Sequence, residues 1–187
     1  MALNIERKPS AKSGKSDDPH APGATHPFAE GGGTMPQVHR ERLCAHPGKL
    51  VVSAVPATVT VVLGSAVAVC LWDGDRGIGG VNHFMLPVAP PGAGGSPRFG
   101  NVAMSRLLDT LVRAGARRSA LRAHVFGGAC MRASIPPPAH VGTHNIDMAI
   151  GFLAEHEIEI AMLDIGGKRG RKIIFNTDEG TACLTVI

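Results

Sequence analysis

From Leu50 to Trp72 the chain carries no charged residue. This run constrains the fold more than any other feature. An uncharged stretch of that length can cross a bilayer as a helix, or lie inside a protein as buried strands. Pro56 and Gly64 interrupt it, and Val and Thr crowd it. Proline breaks a helix, and β-branched residues favour the pleated surface of a sheet. The run is therefore read as the strands "LVVS", "TVTVV" and "AVAVCLW", with "LGS" as a tight turn between the last two.

The same reading extends along the chain. "DGDRG" is a turn, "GGVNHFML" a strand and "PVAPPGAGGSPRFG" a loop. Asn101 is placed to cap a helix over "VAMSRLLDTLVRAG", with apolar positions 104, 107, 108, 111 and 112 on one face and Gly115 as its stop. "LRAHVFGG" is a strand entering a glycine turn, and "MRASIPPPAHVG" a second loop. Asn145 is placed to cap a second helix, with Ile146, Ala149, Ile150 and Leu153 at i, i+3, i+4, i+7. "IEIAMLD", "KIIFN" and "ACLTVI" close the chain as strands. The expectation is an α/β (α+β) layered single domain, mixed β-sheets packed with two amphipathic helices. Residues 1–40 are rich in Lys, Ser, Gly, Pro and His and are expected to lack order, leaving residues 45–187 as the domain.

Composition narrows the function classes. With six Phe, one Trp and no Tyr, the core must come from Val, Leu, Ile, Ala and Met. A net charge of +4 fits an acidic partner without requiring one. The start is charged and lacks an apolar run, so no secretory signal is expected. Cysteines 44, 70, 130 and 183 form no CxxC pair, which argues against a zinc or redox motif and for reduced cytoplasmic thiols. The histidines show no HExxH or paired spacing, so surface or loop roles are their default. No metal or cofactor is expected. "GGKRGRK" lacks the Walker spacing of a phosphate cradle, and no aromatic platform accompanies it for nucleic acid. It reads as a solvated turn, or as a basic edge.

One ordered set of blocks carries a specific resemblance. It begins with Thr60, the turn Leu63-Gly64-Ser65-Ala66, the strand Val67–Trp72, Gly79-Gly80, and "NHFMLP" at 82–87. "RFGNVAM" (98–104), "VFGGACM" (125–131), "VGTHN" (141–145) and "DIGGKRGRKIIFNTDEG" (164–180) follow in order. Together they resemble the chemoreceptor glutamine deamidase family, CheD, over about residues 45–187. The resemblance implies removal of ammonia from receptor glutamine side chains by a Cys, a His and a Thr. His83 matches the His and Thr60 the Thr, as its orienter, whereas the Cys position is Ala66. Gly64 and Ser65 would support the turn and the oxyanion. Lys168, Arg169, Arg171 and Lys172 would form a basic edge meeting acidic receptor helices. The implied partners are methyl-accepting chemotaxis receptors and a CheC-type phosphatase.

The chemistry shows what Ala66 removes. A carboxamide is a poor electrophile, and a thiolate attacks it to give a tetrahedral oxyanion and then a thioester. A neighbouring His takes the thiol proton and returns it to the leaving ammonia. A methyl group does none of this, so turnover near background is expected of this chain. The alternative is a non-catalytic adaptor that binds receptors or a CheC-type phosphatase. Cys70 lies about 13 Å along the strand from position 66 and reads as a core residue. Cys130 is less remote, because glycine turns often approach active sites. Its plainer reading is a packing thiol. Ser65 reads as a turn cap rather than a hydroxyl nucleophile.

Overall fold

The computed structural model describes residues 38–131 and 139–187. The expected disorder of 1–40 falls, apart from 38–40, outside the described residues, as does most of the loop read at 131–142. Within Gln37–Ile187, one compact unit, the uncharged run forms three strands: β2 (Lys49–Ser53), β3 (Ala57–Leu63) and β4 (Val67–Asp73). Among the described residues no helix is long and apolar enough to cross a membrane.

Before these strands lies β1 (Glu41–Cys44), and after them β5 (Ile78–Phe84), α1 (Gly100–Arg113), β6 (Arg122–Gly127), α2 (Val141–Glu155), β7 (Glu159–Ile165), β8 (Arg171–Asn176) and β9 (Ala182–Val186). They build two mixed sheets, β1-β3-β8-β9 and β2-β5-β4-β6-β7. The burial pattern of each strand reports its layer. Every residue of β4 and β5 is buried, because one face of that sheet meets the other sheet and the opposite face meets the helices. In β3, Ala57, Val59, Val61 and Leu63 are buried and the residues between them are not, because only one face is covered.

Two cores follow. Ala68, Cys70 and Trp72 of β4 join Val59, Val61, Leu63, Phe126, Ile173 and Phe175 between the sheets. Val67, Val69 and Leu71 join Met104, Leu107, Leu111, Ala149 and Leu153 under the helices. The layered α+β architecture is the one the sequence predicted.

Some local expectations are corrected. α1 begins at Gly100 with Phe99 in the cap position, and the Asn101 side chain instead accepts from the Ala89 N–H at 3.1 Å. Val112 is 45% exposed, off the buried face. α2 begins at Val141, four residues before Asn145, so Asn145 caps nothing.

Candidate active site

The turn after β3 is held by its carbonyls. Gly64 O accepts from the Ala129 N–H at 2.9 Å and Ala66 O from the Gly128 N–H at 2.8 Å. Ser65 O accepts from Asn145 Nδ2 at 3.1 Å, and the same amide donates to Met85 O at 3.0 Å. Asn145 is fully buried, and it ties this turn, the end of β5 and α2 together. The close approach needs glycine. Gly127 sits at φ +108°, and a Cβ there would lie 2.3 Å from Ala66 O.

Peptide planarity then fixes the donors. In a trans peptide the N–H points opposite to its carbonyl. With the Gly64 and Ser65 carbonyls drawn towards Ala129 and Asn145, the Ser65 and Ala66 N–H groups face the other way. The N–H groups of Gly128, Ala129 and Cys130 are spent on Ala66 O, Gly64 O and Gly167 O. Oxyanion donors are therefore to be sought on the Gly64-Ser65-Ala66 turn and not on the second glycine turn.

His83 lies opposite Ala68 in the β4–β5 register. Directly opposed residues share a face, so its imidazole points between the sheets, as Cys70 and Val81 do. Ala66, two residues before Ala68, packs on the same inter-sheet cluster. Position 66 is thus a diagonal neighbour of His83, at a separation of roughly 7–8 Å between backbones, within reach of their side chains. His83 is 2% exposed. Its Nδ1 lies 3.0 Å from Ala45 O. A carbonyl only accepts, so Nδ1 carries the proton and Nε2 keeps its lone pair. Burial, foremost, holds the imidazole below its ordinary pKa, with the nearby His46 acting in the same sense. The ring is neutral at neutral pH, as a general base must be.

Thr60 is placed differently from expectation. Its neighbours Val59 and Val61 face the inter-sheet core. Strand alternation therefore turns its side chain to the outer face of the sheet, away from His83. Its contribution runs through the backbone: Thr60 O accepts from the Ala45 N–H at 3.0 Å, and the Ala45 carbonyl holds His83. Nothing in the local sequence marks Ala45 for this task.

The remaining candidates also separate. Cys70 is equally diagonal to His83 in register, yet it is fully buried, and burial pushes its thiol pKa far up. Arg171 leaves the expected basic edge: it is 8% exposed, pairs with Asp164 and donates to Arg169 O. Lys168, Arg169 and Lys172 are exposed. His124, expected at a surface, is buried against Trp72 with ring centroids 4.3 Å apart, and its Nε2 donates to Gly180 O. Among the described residues no group of three His, Cys, Asp or Glu is placed to hold a metal ion.

Residues 85–185 match the family profile described as CheD chemotactic sensory transduction. A protein of Anaeromyxobacter dehalogenans, named a probable chemoreceptor glutamine deamidase CheD 1, is 42% identical over 91% of this chain and 95% of its own length. The chain belongs to the CheD family. Probable chemoreceptor glutamine deamidases CheD of Trichlorobacter lovleyi (44% identical, 74% of this chain and 86% of theirs) and Sulfurimonas denitrificans (36%, 79% and 95%) are also similar. The CheD profile match begins just past His83, so it does not include the turn at Ala66.

Proposed function

We propose that the chain acts on glutamine side chains of chemotaxis receptors, as a protein-glutamine deamidase whose position-66 nucleophile is missing. The observation that carries this reading is the shared face of position 66 and His83, within a chain of the CheD family. The imidazole is held by Ala45 O with Nε2 basic, and the Gly64-Ser65-Ala66 turn turns amide donors away from its pinned carbonyls. These are the parts that amide hydrolysis requires, apart from sulfur. The exposed Lys168, Arg169 and Lys172 would meet acidic receptor helices, in the cytoplasm where those helices lie.

The test is Ala66→Cys. Incubated with a cytoplasmic receptor fragment, it should convert glutamine to glutamate, read by mass spectrometry of receptor peptides, far faster than the unsubstituted chain. If the variant binds the fragment but leaves its glutamines intact, the adaptor reading replaces the enzyme reading. Retention of a CheC-type phosphatase by the inert protein would then be its positive sign.

A further inference from the structure

Beside the turn at Ser65 lies a cleft of about 530 Å³, bordered by Ser65, Cys130, His140, Val141 and Gly142. Clefts of a few hundred cubic ångströms suit small side chains and ligands. Cys130 Sγ stands 3.1 Å from His140 Nε2, and both residues are half-buried. The other thiols lack this setting. Cys70 is sealed in the core, and Cys44 and Cys183 are exposed on sheet strands. Backbone bonds fix the cleft next to the vacant nucleophile position: Gly128 and Ala129, just before Cys130, bond to Ala66 and Gly64.

We infer that Cys130 and His140 form a second thiol–imidazole site, which hydrolyses the glutamine carboxamide that position 66 no longer attacks. This deepens the deamidase reading and rests on it. His140 precedes α2 in the cap position, and its side chain makes no capping bond. The imidazole is turned to the sulfur instead. Val141 and Gly142, in the first turn of α2, border the same cleft, and first-turn N–H groups have no partner within the helix. In this site they are the donors assigned to the oxygen on which charge develops.

The step balances with water as the only co-reactant. His140 Nε2 takes the Cys130 proton, and the sulfur forms a bond to the carboxamide carbon while the C=O electrons move to oxygen. As the C=O re-forms, the C–N bond breaks and the imidazolium proton leaves with ammonia, giving a thioester. Water, its proton taken by His140, attacks the thioester. The C–S bond breaks, the sulfur regains its proton from the imidazolium, and the carboxylic acid departs, passing its own proton to the released ammonia.

Two readouts test this. Iodoacetamide at neutral pH, followed by peptide mass spectrometry, should label Cys130 before the exposed Cys44 and Cys183, and His140→Gln should slow Cys130 alone. The unsubstituted protein should deamidate the receptor fragment measurably, and Cys130→Ser and His140→Gln should each reduce conversion to the rate without protein. Labelling of Cys130 no faster than Cys44, or conversion that persists in Cys130→Ser, overturns the inference. An inert parent with an active Ala66→Cys variant also overturns it while leaving the deamidase reading standing. If both are inert, the deamidase reading itself falls, and this inference with it.

Discussion

Asn145 offers the sharpest test of how the site is held. Its side chain is fully buried and donates both amide hydrogens, one to Ser65 O and one to Met85 O. Its Oδ1 is buried without a hydrogen-bond partner. Asn145→Ala removes two hydrogen bonds worth about 1 kcal/mol each, since both carbonyls lie where water reaches in part. It also opens a small void, and it removes one orphaned acceptor, which offsets part of the loss. The net expectation is a destabilisation of about 1.5–3 kcal/mol. For a domain of this size that lowers Tm by roughly 4–10 °C. Asn145→Asp keeps the shape but sets a carboxylate oxygen against two carbonyls, so it should cost at least as much. Urea and thermal unfolding measure both. In the Ala66→Cys background either change should also lower deamidation, because the turn loses its tie to α2. An Asn145→Ala protein within about 0.5 kcal/mol of the parent, the range of an ordinary surface change, would refute the clamp. An Asn145→Asp protein as stable as the parent would refute it equally.

Further expectations concern burial and charge. Cys70 should resist iodoacetamide in the folded protein and label fully in urea; rapid labelling of the native state would contradict its place between the sheets. Gly180→Ala should destabilise strongly by unfolding assay, because a Cβ there would lie 2.0 Å from the Trp72 ring and the backbone is at φ +71°. His83 and His124 are both held below their ordinary pKa, chiefly by burial. The unfolded chain therefore binds protons that the folded one excludes, and stability is full above about pH 6.5 and falls as pH drops below it. Denaturant midpoints between pH 7.5 and 5 should show that loss, and a flat profile would contradict it. Arg171→Ala should lower stability more than Lys172→Ala, since only Arg171 is buried and paired.

Much of the fold could be read from the sequence because its signals are local. The β-branched run from Val51 to Val69 and the 3.6-residue spacing from Met104 to Leu111 each specify one kind of element. β1 carries no such signal, because its residues, Glu41 to Cys44, are mostly exposed, and only pairing with β3 makes it a strand. Asn101 and Asn145 read as caps because a cap and a tertiary clamp use the same side chain. The placement of Thr60 was legible in part: Val59 and Val61 mark the inner face, so the residue between them must face outward. The burial of Arg171 and His124 was not legible, because Asp164 and Gly180 reach them from neighbouring strands and turns. For the same reason Cys130 could be noticed but not its partner. His140 is ten positions away, and no spacing rule joins a glycine turn to the start of a helix.

The central claim is that position 66 and His83 still form one site. The most direct measurement is glutamine-to-glutamate conversion of a receptor fragment in a Cys130→Ser background, with and without Ala66→Cys, and again with His83→Ala added. The expected result is no conversion in the background, strong conversion once the thiol is restored at 66, and its loss when the imidazole is removed. The restored thiol should gain on the order of the million-fold that coupled catalytic groups lose together, less whatever the surroundings have shifted. Conversion that never appears with Ala66→Cys, or that survives His83→Ala undiminished, would contradict it.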